Sequence, residues 1–351
     1  HDALPIYWVV DMNKKLKKKY DKKTIAITGG LGSIGSQILN NILEYDTKKV
    51  ILLDNRETGL FYSSEYPKDE RIETLFCDVR DKELVDRLLK NVDIVFHAAA
   101  MKHVVVGEKN PFETAKTNVN GTQNVIESCL KNNVEKMILI STDKAVNPTN
   151  VMGATKLLAE RLVSAMCNIR SKDDTKFGIV RFGNVLYSRG SVLEIWENQL
   201  KKGEKITITN PDMTRFFMDL SQCVDLIFNA TFYSENGEIF ILKMPSVKIG
   251  VLAEVFLEIK GYDKNNYRKI GIRSGEKSHE ELLLEEEEGV VLENDEFFLR
   301  LPLKIGKKDI PGYEKKGFKI AENKEYRSDD KTNLLDKKTV KKILRSSEII
   351  N

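Results

Sequence analysis

Apolar positions along this chain follow two alternating rhythms. Short runs at Thr24–Thr28, Val50–Asp54, Ile72–Cys77, Asp93–Ala98, Lys136–Ser141 and Phe177–Phe182 are rich in β-branched residues, and most are apolar almost throughout. A strand with one wet face alternates apolar and polar residues, so continuous runs predict strands covered on both faces of a parallel sheet. Between them lie stretches of helical periodicity: Ser33–Tyr45, Lys82–Lys90, Thr114–Asn132 and Met152–Ile169. In Thr114–Asn132, Val119, Thr122, Val125, Ile126 and Leu130 fall on one helical face. Repeated βα units predict an α/β fold, a doubly wound parallel sheet with right-handed crossovers.

Beyond residue 185 the alternation weakens. Candidate helices at Val192–Lys201, Leu220–Phe232 and Ile249–Lys260 mix with short strands at Ile206–Thr209, Glu238–Leu242 and Lys269–Ile272. The expected organisation is a leader over 1–23 and a sheet domain over 24–185, with 220–245 returning to it. Residues 186–219 and 246–351 are expected to form a smaller C-terminal substrate-binding cap and tail over the sheet's carboxyl edge. The acidic run Glu285–Glu288 reads as a solvated surface.

Composition narrows the function classes. The 351 residues are 41% hydrophobic, enough for one large domain or two coupled ones. Fifty-six basic residues against 53 acidic ones leave a net charge of only +3, which does not mark nucleic acid as a ligand. No apolar run reaches the ~20 residues of a membrane span; Asp93–Val106 is broken by Lys102 and His103. No signal peptide is recognisable. Cys77, Cys129, Cys167 and Cys223 lie far apart, which fits a reducing cytoplasm and predicts neither a disulfide framework nor a metal site. The chain starts at His1. Residues 1–11 read either as a fragment edge or as a native arm, and the basic run Lys14–Lys23 reads as a solvated leader.

Candidate chemistry begins at Thr28-Gly-Gly-Leu-Gly-Ser-Ile-Gly35, which follows the first strand and opens the first helix. Gly29, Gly32 and Gly35 permit a tight turn, close approach to a pyrophosphate and close helix–strand packing; the helix start at Ser33 and Ile34 supplies N–H donors. This is a Rossmann-type dinucleotide site. Asp54 ends the second strand, where a carboxylate accepts ribose hydroxyls and favours NAD; Arg56 keeps NADP open, because a guanidinium pairs with a 2′-phosphate. Asp78 and Val79 after the third strand, and Ala98 and Ala99 after the fourth, are the remaining cofactor neighbours.

The most informative stretch is Ile140–Lys156. Ser141 and Thr142 end the fifth strand, and Asp143 and Lys144 follow as an adjacent acid and amine at the edge where open α/β sheets bind ligands. Met152 and Lys156 lie one turn apart on one helix face. His97 reads as structural, with no ligand cluster around it.

These residues resemble a known family. The glycine loop, His97-Ala-Ala-Ala-Met-Lys-His-Val104, Ser141-Thr-Asp-Lys144, Met152-Gly-Ala-Thr-Lys156, Val180-Arg-Phe-Gly-Asn-Val185, Arg189-Gly-Ser191, Asp212-Met-Thr-Arg-Phe216 and Ile272-Arg-Ser-Gly-Glu-Lys277 are similar to motifs of the extended short-chain dehydrogenase/reductases. Within them the chain looks like the nucleotide-sugar 4,6-dehydratases of polysaccharide and capsule synthesis, from about Thr24 to Tyr326-Arg-Ser-Asp-Asp330. It departs from the superfamily at Met152, where a tyrosine is usual; a thioether transfers no proton.

The resemblance implies a UDP-N-acetylglucosamine 4,6-dehydratase. NAD, tightly held and regenerated, takes hydride from C4 and returns it to C6. Lys144 removes the C5 proton, and Asp143 protonates the leaving C6 hydroxyl. Both need shifted proton affinities for this. Lys156 holds the nicotinamide ribose, and Thr142 orients the C4 oxygen. Lys102, His103, Asn184, Arg189, Ser191, Arg215 and Arg273 are implied to hold the UDP-N-acetylhexosamine, the arginines at its diphosphate. The short form and tail favour C5 inversion, while Met152 and Asp54-Asn55 favour retention. A homo-oligomer, dimer or hexamer, is implied through the helices Thr114–Asn132 and Met152–Ile169. The alternatives are a nucleotide-sugar 4-epimerase and, from another class, a non-catalytic NAD-binding regulatory subunit.

Overall fold

The computed structural model describes residues 17–62, 69–169, 174–287 and 289–346. The runs read as strands form β1 (Thr24–Thr28), β2 (Lys49–Asp54), β3 (Ile72–Phe76), β4 (Ile94–His97), β5 (Lys136–Ile140) and β6 (Lys176–Arg181). Shorter strands follow: β7 (Asn184–Val185), β8 (Ile206–Ile208), β9 (Thr214–Met218), β10 (Glu238–Leu242), β11 (Ser246–Lys248), β12 (Tyr267–Lys269), β13 (Glu281–Leu283), β14 (Val291–Glu293), β15 (Phe297–Arg300), β16 (Lys319–Ile320) and β17 (Tyr326–Arg327). The principal helices are α1 (Ser33–Ile42), α2 (Lys82–Leu88), α3 (Gly121–Lys131), α4 (Val151–Ile169), α5 (Val192–Lys201), α6 (Leu220–Tyr233), α7 (Ile249–Ile259) and α8 (Lys337–Ser346).

The central sheet runs β3-β2-β1-β4-β5-β6-β10, all parallel, as the unbroken apolar runs require. Helices α1 and α6 pack together, as do α2, α3 and α4. Strands β1, β4 and β5 are buried at every residue. β3 is the edge, so its residues are only part-buried and Phe76 is exposed. The strand order reverses between β1 and β4, and ligands bind at the carboxyl ends beside such a reversal. The stretch expected as one helix over Thr114–Asn132 contains a π turn at Lys116–Asn120 ahead of α3. There the buried Asn118 accepts the Met101 N–H and donates to Met101 O and Thr155 Oγ1, tying the helix to the loop after β4.

The cap has its own core. Leu193, Trp196 and Leu200 of α5 meet Leu252 and Phe256 of α7 and Val340 and Leu344 of α8. Trp196 satisfies its indole N–H on Thr207 O at 2.8 Å.

Four expectations change. Residues 291–320, assigned to the cap, extend the main sheet: β15 pairs antiparallel with β10, then β14 and β16 follow. The apolar β15 covers an edge that β10 would otherwise expose. The end of the basic leader is packed: Tyr20 is fully buried against Tyr45, Phe96 and Phe228, and Lys19 and Lys23 pair with Glu135. Residues 1–16 of the leader lie outside the described residues. The acidic run is not wholly solvated either. Arg181 is buried in β6, where a lone cation is costly; its guanidinium donates to Glu160 at 2.7 Å and draws in Glu287 at 2.9 Å. Finally, the strand expected at Lys269–Ile272 is Tyr267–Lys269, where it pairs in register with β8 from Ile206 to Ile208.

Candidate active site

The glycine turn is built as its sequence requires. Gly29 has φ +66°, and a Cβ there would lie 2.8 Å from Ala99 N. A Cβ on Gly35 would lie 2.4 Å from Gly29 O, so α1 seats directly on the turn. Gly32 is the N-cap of α1 and offers no side-chain cap. The first-turn N–H groups, including those of Ser33, Ile34 and Gly35, therefore have no side-chain acceptor at the cap, the arrangement that receives phosphate. Ala98 and Ala99 pack against the turn, their N–H groups donating to Thr28 O and Thr28 Oγ1.

Asp54 is buried at the end of β2, and its Oδ2 accepts the Leu31 N–H at 3.0 Å. Arg56 forks onto the same carboxylate at 3.0 and 3.2 Å. The cation expected to compete for a 2′-phosphate thus rests on the group expected to hold the ribose. Asp78 is forked by Arg80, which holds its carboxyl below the usual carboxylate range. Val79 is buried against Gly121.

At the end of β5, Asp143 is fully buried. Its Oδ1 accepts the Thr142 hydroxyl at 2.8 Å and the Lys144 ammonium at 2.9 Å. Its Oδ2 has no hydrogen-bond partner among the described residues. The direction at Lys144 is opposite to the one expected: burial favours the neutral amine, but Asp143 and Glu280 prevail and hold its proton affinity above that of an ordinary lysine. Lys156, buried on α4, donates to Ile140 O at 2.7 Å, and burial lowers it to about 8, opposed by Glu160. Met152 is buried one turn away, against Gly107.

Lys102 and His103 meet the turn around Arg189. Lys102 Nζ donates to Arg189 O at 2.8 Å, and His103 lies under Gly190. Burial lowers the proton affinity of both, aided at His103 by the Lys102 charge. The Arg189 N–H in turn donates to Ser33 Oγ at 2.9 Å, so this turn sits on the start of α1. Ser191 Oγ is buried and has no hydrogen-bond partner among the described residues. Asn184 donates to Phe216 O.

The two remaining arginines differ in burial. Arg215 is buried with its donors committed to Thr214 O and Lys277 O, and it faces Glu276 and Glu280; a diphosphate fork would have to displace these acceptors. Arg273 is exposed on a loop tied to the post-β5 segment through Gly275 O, which accepts from Thr149 and Asn150.

Glu280 was missed. It is buried against Lys144 and Arg215, yet it lies more than a hundred residues from Lys144 in sequence and outside every motif quoted above. Its only signal was proximity to the 272–277 motif. His97 is structural: Thr28 and Thr122 hold its ring, and burial lowers it to about 3. Among the described residues no cluster of ligand side chains could hold a metal ion, and no helix is long and apolar enough to cross a membrane. Its four cysteines are free and buried.

Residues 25–300 match the family described as polysaccharide biosynthesis protein. An uncharacterized membrane protein of Methanocaldococcus jannaschii is 46% identical over 95% of this chain and 98% of its own length. A UDP-N-acetylglucosamine 4,6-dehydratase (inverting) of Campylobacter jejuni is 38% identical over 94% of this chain and 99% of its own. A UDP-glucose 4-epimerase of Rickettsia canadensis is 41% identical over 76% and 79%. Among solved structures, Pen from Bacillus thuringiensis superposes with a TM-score of 0.85 at 37% identity, covering 93% of this chain and 99% of that one.

Proposed function

The chain belongs to the polysaccharide biosynthesis protein family, and from that premise we propose that it is a UDP-N-acetylglucosamine 4,6-dehydratase, inverting at C5, that makes a UDP-4-keto-6-deoxy sugar for a surface polysaccharide such as a capsule. The observation that carries the reading is the pair of buried Asp143 and half-buried Lys144 at the carboxyl end of β5, beside Lys156 and the glycine turn.

The residues fit NAD: an uncapped helix start, a turn with no room for a Cβ, and a buried carboxylate at the end of β2. Bound NAD supplies a hydride acceptor for C4 and a hydride donor for C6. The first turn of α1 would bind the pyrophosphate, Asp54 the adenosine ribose once Arg56 yields, and Lys156 the nicotinamide ribose. Arg56 would be free to meet a 2′-phosphate, so NADP is the second cofactor to test.

The protein's own chemistry is proton transfer. Lys144 Nζ, once neutral, takes the C5 proton, which a C4 ketone acidifies. Asp143, once protonated, gives its proton to the leaving C6 hydroxyl. Thr142 Oγ1 orients the C4 oxygen. Met152 takes no part in proton transfer and shapes the apolar wall. The Lys102–Arg189 and His103–Gly190 contacts close one side of the substrate space. We place the enzyme in the cytoplasm, as a homo-oligomer joined by the helices of Thr114–Asn132 and Met152–Ile169, the second of which exposes Leu158.

Proton NMR of an incubation with UDP-N-acetylglucosamine in D₂O tests the reading. A new C6 methyl signal is expected, with ring couplings of the inverted C5. A C4 epimer without a methyl signal would replace the reading with a 4-epimerase. Thermal stabilisation by NAD but not by UDP-sugars, with no product, would replace it with a non-catalytic regulator.

A further inference from the structure

The tail motif Tyr326–Asp330 has no role in the reading above, and neither does Glu280. The structure joins them. Ser328 is fully buried, far in sequence from everything it touches. Its Oγ accepts the Glu280 N–H at 2.9 Å and donates to Thr214 O at 3.1 Å, and its own N–H donates to Glu280 O at 2.9 Å. Tyr326 anchors the same strand by stacking on Phe216 and donating to Met244 O. The tail thus fixes the backbone of Glu280 and the strand that carries Arg215.

The Glu280 side chain is buried with one oxygen engaged. Oε1 lies 3.7 Å from Lys144 Nζ and 3.6 Å from Arg215 Nε; Oε2 has no hydrogen-bond partner among the described residues. Lys144 therefore stands between two buried carboxylates, Asp143 and Glu280. The other charged groups facing Glu280 are Arg215 from β9 and Lys277 from its own segment, and Arg215 also faces Lys144. Arg215 also has Glu276 at 3.5 Å, whereas among the described residues Lys144 has only the carboxylates of Asp143 and Glu280 within 4 Å, so losing Glu280 leaves Lys144 with less negative charge around it.

We propose that Glu280, held by Ser328, is a positioning residue that sets the proton affinity of Lys144 and so how readily Lys144 gives up its proton to become the base. For its effect on turnover the proposal rests on the dehydratase reading; its effect on Lys144 itself does not. The sign follows from charge. A carboxylate 3.7 Å away stabilises the ammonium, so its loss lets Lys144 release its proton at lower pH. Even with water-like damping, attraction at that separation changes proton affinity roughly tenfold.

The test uses the full chain and its Glu280→Gln, Glu280→Asp and Ser328→Ala variants. Competitive acetylation with acetic anhydride, read at the Lys144 peptide by mass spectrometry across pH, reports the Lys144 titration without needing turnover. In Glu280→Gln the midpoint is expected to fall by about one pH unit or more, a tenfold loss of proton affinity. Glu280→Asp should restore most of it. If the Gln variant does not fold, Ser328→Ala, which frees Glu280, is expected to lower the midpoint in the same direction. The limb of the kcat–pH profile that reports Lys144 should move with the labelling midpoint, with KM unchanged. An unmoved or raised Lys144 midpoint in a folded variant overturns the proposal. A shifted midpoint in a protein that makes no C6-methyl product overturns the dehydratase reading and leaves the Glu280–Lys144 coupling standing.

Discussion

Replacing Asp143 by Asn separates chemistry from folding. The amide keeps the shape of the carboxyl, and its oxygen still accepts from Thr142 and Lys144, but it cannot deliver a proton from Oδ. The carboxyl is fully buried, so no water stands in for it. General acid catalysis by a positioned group is worth about 10²–10⁴-fold, roughly 3–5 kcal/mol of barrier. The cost to folding is smaller. Lys144 keeps Glu280 at 3.7 Å and stays part-exposed, so the weakened charge-assisted hydrogen bond costs about 1.5–3 kcal/mol, within the about 5–15 kcal/mol stability of a typical domain. The assay is NMR in D₂O with two signals read together. Formation of the C6 methyl should fall by about 10²–10⁴-fold, while deuterium still enters C5 of the recovered sugar, because losing the Asp143 charge lowers the proton affinity of Lys144 and lets it release its proton to solvent. Full methyl formation would refute the assignment of Asp143 as acid. Loss of both signals by one factor would refute the division of labour between Asp143 and Lys144.

Three further outcomes follow from the geometry. Gly35→Ala places a Cβ 2.4 Å from Gly29 O, backbone against backbone, so it should destabilise the fold by about 1–3 kcal/mol and abolish measurable NAD binding by calorimetry; parent-like binding would contradict the seat of α1. Asp54→Asn removes the carboxylate that Arg56 forks, and the ratio of NADP to NAD affinity should rise about tenfold or more as the guanidinium turns to a 2′-phosphate; an unchanged ratio would exclude Arg56 from selectivity. Lys136 is buried in β5, donates to Thr231 O and Ser234 O, and is lowered by burial to about 7. Below that pH both folded and unfolded states carry the proton and the burial penalty is complete. Between about 7 and the ordinary lysine value the folded state sheds it first, so stability rises with pH; urea midpoints in Lys136→Met should lose that rise, and an identical slope would refute the assignment.

The parallel half of the fold was legible because β1, β4 and β5 are buried on both faces and so read as unbroken apolar runs. The antiparallel extension was not. β14, β15 and β16 are three, four and two residues long, too short for any period to declare itself, and they return to an edge set by a strand far earlier in the chain. Glu287 misled for a related reason: a run of acids reads as surface unless its buried partner is known, and Arg181 lies 106 residues away. At the site, adjacency decided what could be read. Asp143 and Lys144 are neighbours in sequence and neighbours in space. Arg215 was placed by its motif, but a motif does not say which acceptors the guanidinium meets, and these turn out to be protein atoms. Glu280 reaches Lys144 only through the fold of the tail.

One consequence concerns the proton that dehydration must move first. The chain places two lysines at the end of β5 in different fields. Lys156 has burial opposed by Glu160 and is lowered to about 8, whereas Lys144 has two carboxylates and is held up. In the free protein Lys144 therefore holds its proton, the reverse of what abstraction at C5 requires. A single transfer across the 2.9 Å hydrogen bond from Lys144 Nζ to Asp143 Oδ1 produces both the base and the acid and leaves the net charge unchanged. The ion pair is favoured while Lys144 retains its 22% exposure, because water solvates the ammonium. A sugar seated over that face removes the water, and loss of solvation weakens an ion pair more than a neutral amine–acid pair. On the proposed dehydratase reading, substrate binding would thus drive the pair toward its working state, with the neutral form arising where there is a C5 proton to take.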